Sequence, residues 1–351
     1  MNTTGTPTSA GTKLTRKDFL SSIDPRWCAG CGCYGVFKAI TSVFPTMNIP
    51  REKFAIISGI GCSSRFPYYS NTYGFHTIHG RAPTVAMGLK LARPDLSVWV
   101  ITGDGDGLSI GGNHFIHLMR RNPDIKVILF NNQIYGLTKG QASPTTAVGT
   151  KTKTTPYGSN DIPMQPLAMA IASGATFAAR AHDSDNELLT EVMTAAARHK
   201  GVAFVEVMMN CVIFNDGAIE SITNKATRAE NTIRLRQGEP LMFGTDANKG
   251  IRMGRDHRPE IVPVGQMAGG ASKSDLMVHD ITASDSSAAY MLSLLSSPTA
   301  FGVFRQVNVP SYEQHYEVSV DPDVDKLLRS GTTWTTGEDG QSRPVEGSKQ
   351  S

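Results

Sequence analysis

Two sets of residues in this 351-residue chain have types and spacing suited to chemistry. The first is Gly103-Asp104-Gly105-Asp106-Gly107, followed further on by Asn131-Asn132-Gln133-Ile134. Glycines let a backbone approach a diphosphate closely and turn its amide hydrogens toward it, and a helix start behind them favours negative charge. Asp104, the side-chain carbonyl of Asn132 and the backbone carbonyl of Ile134 are hard oxygen ligands of the kind Mg2+ takes beside phosphate oxygens and water. Taken alone, Gly-Asp-Gly is also a common turn and Asn-Asn ends many strands. The second set is the cysteines Cys28, Cys31, Cys33, Cys62 and Cys211. An odd number without an export signal argues against a disulfide framework and for a metal or redox role. Cys28, Cys31, Cys62 and Cys211 can supply the thiolates of an iron-sulfur cluster; structural zinc accepts the same set, and a buried unliganded thiol is the alternative for any single one. Cys33 is surplus and is expected to be a packed thiol on a helix beginning near Tyr34.

Elements that could position these residues are visible as short β-branched or aromatic runs at Phe54 to Ser58, Val98 to Thr102, Val127 to Phe130 and Val202 to Val207. Between and around them, apolar residues at helical spacing mark Ala82 to Ala92, Asn113 to Arg121, Leu167 to Ala172 and Glu187 to His199. Alternating strands and helices of this length predict right-handed βαβ units and an α/β fold with a doubly wound, mainly parallel sheet. Ligands of such sheets bind beyond the carboxyl ends of the strands. The segments Gly59-Ile60-Gly61-Cys62, Gly103 to Asp106 and Asn131 to Gly136 each fall there, and Cys211 follows the last of these strands. No G-x-G-x-x-G follows the first strand and no Walker lysine is present, so a Rossmann or P-loop nucleotide site is disfavoured.

Composition sets the outer limits. With 40% hydrophobic and 19% charged residues the chain reads as globular, and a net charge of +3 gives no reason to expect nucleic acid or a membrane surface. No apolar run approaches the roughly 20 residues of a membrane span. The N-terminus lacks the apolar core of a signal peptide, so a cytoplasmic location is expected. Residues 1–15 and 335–351 read as disordered tails, 16–215 as the cofactor-binding domain, and 216–334 as a long C-terminal extension or arm in which only Ala288 to Leu295 is clearly helical.

The spacing of Asp104 and Asn132 is that of the GDG…N pattern of thiamine-diphosphate enzymes. Together with Trp27-Cys28-Ala29-Gly30-Cys31-Gly32, Gly59 to Ser63, His79-Gly80-Arg81-Ala82 and Asn132 to Thr145, it resembles the beta subunits of 2-oxoacid:ferredoxin oxidoreductases, over about residues 20 to 215. The resemblance implies a thiamine-diphosphate-binding domain of the PP type, with Mg2+ on Asp104, Asn132 and Ile134. It implies a 4Fe-4S cluster on Cys28, Cys31, Cys62 and Cys211, in preference to zinc. Cofactor contacts then fall on Ile60, Gly61, Cys62, Ser63, Gly103, Gly105, Asp106, Gly136 and Leu137. His79 is a further candidate at the cofactor, against the usual fate of such a residue as a hydrogen-bonded core histidine.

Tyr135 to Thr145 resembles the 2-oxoglutarate type, which implies CoA-dependent oxidative decarboxylation of 2-oxoglutarate to succinyl-CoA with one-electron transfer to ferredoxin. Pyruvate and branched-chain 2-oxoacids are the alternative substrates. Arg65 and Leu137 are the candidate substrate contacts, Arg65 by pairing with a distal carboxylate, against the alternative of a partner-facing arginine. The glutamate that faces the aminopyrimidine has no second domain here to come from. It is expected from an alpha subunit, in a heterodimer or a dimer of heterodimers, and no residue of this chain is assigned as catalytic. A non-redox thiamine decarboxylase or carboligase would leave the cysteines unexplained, and a simple electron carrier would cluster them in one short run.

Overall fold

The computed structural model describes residues 13–265 and 270–315, and the backbone of 334–336 and 342–344. Strands that are apolar along their whole length form the middle of the sheet, because both of its faces are covered. In β1 (Phe54–Ser58) and β4 (Ile125–Asn131) every residue is buried. Around them lie β2 (Tyr73–His76), β3 (Ser97–Gly103), β5 (Phe177–His182) and β6 (Ala203–Met208). Among the described residues the main sheet has the strand order β2-β1-β3-β4-β6-β5-β11-β7, with β7 at Thr232–Arg234 and β11 at Thr299–Gln306. Neighbours from β2 to β5 pair in parallel, and β11 pairs antiparallel to β5 and parallel to β7.

Alternation along the strands divides the core in two. Ile56, Ile101, Ile128, Phe130, Val205 and Val207 meet α1 (Cys33–Val43), the short α2 (Phe66–Tyr69) and α7 (Asn186–Arg198) on one face. Ala55, Ile57, Val100, Val127, Leu129 and Phe204 meet α3 (Ala82–Ala92), α5 (Gly112–Arg121) and α6 (Pro166–Ala172) on the other. The expected doubly wound sheet is therefore present. The strands and helices foreseen from hydrophobic pattern match β1, β3, β4, β6, α3, α5, α6 and α7 to within a residue or two at each end.

The chain beyond Asp216 forms α8 (Glu220–Thr223), α9 (Arg228–Asn231), and a small antiparallel sheet of β8 (Met242–Phe243), β9 (Lys249–Met253) and β10 (Pro259–Pro263). It then forms α10 (Ser287–Ser293), which covers the expected helix at Ala288 to Leu295 in part, before adding β11. Ile233, Leu241, Phe243, Ile251, Leu292, Ala300 and Phe304 of this segment belong to the second core cluster. The chain divides into two compact units, Met1–Glu313 and Gln314–Ser351. In the second, β12 (Trp334–Thr336) pairs antiparallel with β13 (Ser342–Pro344). Of the expected tails, 1–12, 337–341 and 345–351 lie outside the described residues.

Candidate functional site

Where β1 leads to β2 and β3 leads to β4, the connections leave the sheet on opposite faces, α2 on one and α5 on the other. A crevice opens at the carboxyl ends of β1 and β3, the topological switch point at which such sheets bind ligands. It is lined by Ile60, Gly61, Cys62 and Ser63 after β1, His79 after β2, and Gly103 to Asp106 after β3. Phe130 at the end of β4, Asn132 and Ile134 to Thr138 after it, Met209 after β6 and Cys33 at the start of α1 complete the wall. Every residue expected to touch the cofactor or Mg2+ is thus on one cleft.

Asp104 opens α4 (Asp104–Leu108) at the floor and is buried. Its Oδ2 accepts hydrogen bonds from Ser143 at 2.5 Å and Thr145 at 2.7 Å. Burial nevertheless pushes its carboxyl up to about 6, with those hydroxyls pulling the other way. A carboxylate so desolvated and held by two hydroxyls is suited to a cation, whose charge offsets the burial. Asn132 follows β4 in a turn where its Oδ1 accepts the Ile134 amide at 3.3 Å. Gln133 between them takes a φ of 57°, which bends the chain so that Asn132 and Ile134 both face the cleft.

Asp106 does different work with its side chain. Oδ1 accepts the amides of Ile60 at 2.9 Å and Gly80 at 2.7 Å, and Oδ2 accepts the Thr102 hydroxyl at 2.6 Å. One buried carboxylate therefore fixes the loops after β1 and β2 to the end of β3. His79 Nδ1 stands 3.0 Å from Asp106 Oδ1, close enough for an ion pair but outside hydrogen-bonding geometry. The Ser63 hydroxyl is buried on the cleft wall and has no hydrogen-bond partner among the described residues. It is a donor free for a phosphate oxygen, which fits a diphosphate in this cleft. Tyr135 covers the Gly103-Asp104-Gly105 turn, its hydroxyl donating to the Gly105 carbonyl at 3.2 Å. A Cβ at residue 105 would stand 2.2 Å from the Tyr135 ring, so glycine is required there.

The cysteines border the same cleft. Cys62 is part of its wall, and a Cβ added to Gly136 would stand 3.5 Å from the Cys62 sulfur and 3.6 Å from that of Cys211. Trp27 Nε1 donates to the Cys62 carbonyl at 2.7 Å, which ties the Cys28–Cys31 segment to the loop after β1. The Asn215 side chain donates to the Asn132 carbonyl at 3.1 Å and so ties the turn around Cys211 to the turn after β4. Burial pushes the Cys62 thiol up to about 11, reinforced by Cys31, Cys211 and Cys28. Among the described residues no three His, Cys, Asp or Glu side chains stand at distances to hold a metal ion directly. The sulfurs of Cys62 and Cys211 flank the bare backbone of Gly136, and Cys31 and Cys28 are near enough to act on Cys62. Cys33 is buried in α1, as expected, and its thiol donates to Cys31, drawing the Cys31 thiol down to about 7.

Arg65 stands apart from the cleft lining, its Nη1 donating to the Arg26 carbonyl at 2.9 Å. Leu137 lies on the rim, about half exposed. The residues that the sequence did not reveal are those that hold others in place: Ser143, Thr145, Tyr135, Thr102 and Trp27. The motif Asn132 to Thr145 contains the first three, but loop hydroxyls carry no periodic signal to mark what they bond.

The fold and this cleft define a thiamine-pyrophosphate-binding enzyme domain, and residues 59–207 match the family described as thiamine pyrophosphate enzyme, C-terminal TPP binding domain. The chain is 48% identical over 333 residues to the 2-oxoglutarate oxidoreductase subunit KorB of Mycobacterium tuberculosis, spanning 91% of this chain and 88% of that protein. It is 45% identical over 192 residues to the 2-oxoacid:ferredoxin oxidoreductase subunit beta of Saccharolobus solfataricus, spanning 54% of this chain and 63% of that one. Among solved structures, 2-oxoglutarate:ferredoxin oxidoreductase from Magnetococcus marinus, with 2-oxoglutarate, coenzyme A and succinyl-CoA bound, aligns at a TM-score of 0.68. That match has 31% identity and covers 90% of this chain and 96% of that one. The chain belongs to the beta subunits of the 2-oxoacid:ferredoxin oxidoreductases. Among the described residues no helix is long and apolar enough to cross a membrane.

Proposed function

We propose that this beta subunit, with an alpha subunit, catalyses the CoA-dependent oxidative decarboxylation of 2-oxoglutarate and passes the electrons singly to ferredoxin. In this reading Asp104, Asn132 and the Ile134 carbonyl hold Mg2+, and Cys28, Cys31, Cys62 and Cys211 hold a 4Fe-4S cluster. Bound there, thiamine diphosphate supplies the decarboxylation chemistry and the cluster a one-electron exit. The observation that carries the reading is Cys62: it lines the diphosphate cleft and its sulfur shares the space at Gly136 with that of Cys211.

The chain's own residues bind and orient. The Ser63 hydroxyl donates to a phosphate oxygen, Asp106 keeps the loops after β1 and β2 fixed, and Phe130, Ile134, Leu137 and Met209 keep water from the reacting end. The glutamate for the aminopyrimidine comes from the alpha subunit, in a heterodimer or a dimer of heterodimers, located in the cytoplasm. Residues 16–215 form the cofactor-binding part and 216–334 the extension, with Arg65 for the substrate's distal carboxylate and His79 for the cofactor.

The test uses the anaerobically purified complex with its alpha subunit. It should contain iron, acid-labile sulfide and thiamine diphosphate, and reduce a viologen dye fastest with 2-oxoglutarate and coenzyme A. Faster reduction with pyruvate or a branched-chain 2-oxoacid would reassign the substrate, and absence of iron would leave a non-redox thiamine decarboxylase or carboligase. Turnover by the beta subunit alone would overturn the shared active site.

A further inference from the structure

The segment carrying Cys28 and Cys31 and the turn carrying Cys211 come from distant parts of the chain, and they meet through a residue outside the cofactor cleft. Asp183 follows β5 directly. Its Oδ2 accepts the amide of Asn210, the neighbour of Cys211, at 2.9 Å. The same oxygen lies against Gly32, between Cys31 and Cys33: a Cβ built on Gly32 would stand 2.1 Å from it. One turn further along α1, a Cβ on Gly35 would stand 3.0 Å from the Asp183 carbonyl. The amide of Asp183 donates in turn to the Met208 carbonyl at 3.0 Å, so its backbone is anchored to the end of β6. Side chain and main chain of this residue are wedged between the start of α1 and the Cys211 turn.

A tie between two loops needs only a hydrogen-bond acceptor, yet this acceptor carries a charge. Burial raises its carboxyl above the ordinary range, and the amide of Asn210, neighbouring backbone amides and the Ser184 hydroxyl pull the other way, in favour of the charge. Its charge falls on Cys31. Net charge and hydrogen bonding around the sulfurs are among the levers that set a cluster's reduction potential. Reduction adds an electron, so a fixed carboxylate beside the centre disfavours it.

We infer that Asp183 is a positioning residue that clamps the Cys28–Cys31 segment to the Cys211 turn and holds the reduction potential of the centre between them low. The inference rests on the reading of the four cysteines as cluster ligands. It separates two properties, since the clamp needs the acceptor oxygen and the potential needs the charge.

The experiment compares Asp183→Ala and Asp183→Asn with the unaltered complex, prepared anaerobically with the alpha subunit. Iron and acid-labile sulfide per beta chain are measured, and the midpoint potential is read by EPR-monitored titration. Hydrogen exchange of amides 28–35 is followed in the iron-free complex. Asp183→Ala should lose iron severalfold and exchange faster at those amides. Asp183→Asn keeps an acceptor for Asn210 and should retain the iron, with a midpoint shifted to more positive values. Iron absent from the unaltered complex overturns the cluster reading and this inference with it. Iron present there, with a full complement in Asp183→Ala, overturns the clamp alone. An unshifted midpoint in Asp183→Asn overturns the electrostatic role, and that arm stands even if Asp183→Ala does not assemble.

Discussion

Asp106 offers the most direct test of how the cleft is built. Replacing it with alanine removes the acceptor of the Ile60 and Gly80 amides and of the Thr102 hydroxyl. Thr102 can turn to the Gly103 carbonyl, already 3.3 Å away, but the two amides are fixed by their loops. A hydrogen bond to a charged group contributes about 1.5–3 kcal/mol, so two lost amide bonds amount to about 3–6 kcal/mol before any water enters the gap. That approaches the whole stability of a small domain, about 5–15 kcal/mol, and it falls on the loops that wall the cleft. Asp106→Asn is the discriminating control. Its carbonyl oxygen can keep both amides while its NH2 faces Thr102 Oγ, which then donates to Gly103, so most of the geometry survives at a loss of about 1 kcal/mol.

The assay is urea unfolding of the complex with its alpha subunit, together with thiamine-diphosphate affinity from quenching of intrinsic fluorescence. Asp106→Ala should lower the unfolding midpoint strongly and weaken cofactor affinity by at least about a hundredfold, equivalent to about 3 kcal/mol. Asp106→Asn should stay within about tenfold of the parent. Equal behaviour of the alanine variant and the parent in both measurements would refute the idea that one carboxylate holds the loops.

Three further outcomes follow from the same geometry. Thr145→Val removes one of the two hydroxyls on Asp104 Oδ2, and the Mg2+ concentration for half-maximal cofactor binding should rise about tenfold or more, measured by titration of the metal-free complex. Arg180→Met leaves Glu206, its buried partner at 2.8 Å, without a counter-charge, and should destabilise by about 3–5 kcal/mol in urea unfolding; Arg180→Met with Glu206→Leu should recover much of that. Burial, with Lys126 nearby, draws the buried His199 down to about 4 from an ordinary 6.5. The unfolded chain therefore takes up a proton near pH 6.5 and the folded one only near 4, so this stabilisation is complete above about pH 6.5 and fades as pH falls toward 4. Unfolding midpoints at pH 7.5 and 5 should differ less in His199→Gln than in the parent.

Sequence pattern revealed the elements whose burial is uniform. Phe54 to Ser58 and Val127 to Phe130 are apolar throughout because helices cover both sides of the sheet, and such runs have few other fates. β5 escaped notice because Phe-Ala-Ala-Arg-Ala-His does not look like an interior strand. Its Arg180 is tolerated there by Glu206 on β6, the Ser293 carbonyl and the Phe304 ring, three partners that no local window contains. β2 is short, exposed and interrupted by Gly74. β11 is broken by Gly302 at a φ of 124° and by a register shift between Val303 and Arg305. In the site the reverse holds. Glycines, acids and cysteines at strand ends announce themselves by type and position, whereas the hydroxyls of Ser143 and Thr145 become meaningful only once the loop has returned to Asp104. Arg65 was expected at a substrate carboxylate from its position after Cys62, and its guanidinium donates to the Arg26 carbonyl.

The segment after Asp216, whose pattern is weakest, completes what the better-patterned part leaves open. Arg180 Nη2 donates to Ser293 at the end of α10, and Arg180 Nε continues through Glu206 to the Asn131 side chain, which faces Thr145 and hence Asp104. The C-terminal segment thus satisfies a buried guanidinium at one end of a polar chain whose other end is Asp104. It also covers β5, which would otherwise present a bare sheet edge, the usual route to aggregation. Ending the chain after residue 215 uncovers Arg180 and the β5 edge, and removes the packing of Phe301 and Phe304, each contributing roughly 1.5–3 kcal/mol. The truncated chain, co-expressed with the alpha subunit, should therefore be recovered as aggregate in size-exclusion chromatography. A soluble truncated complex that bound thiamine diphosphate as tightly as the full chain would show instead that residues 16–215 stand alone and that the polar chain needs nothing beyond Arg180.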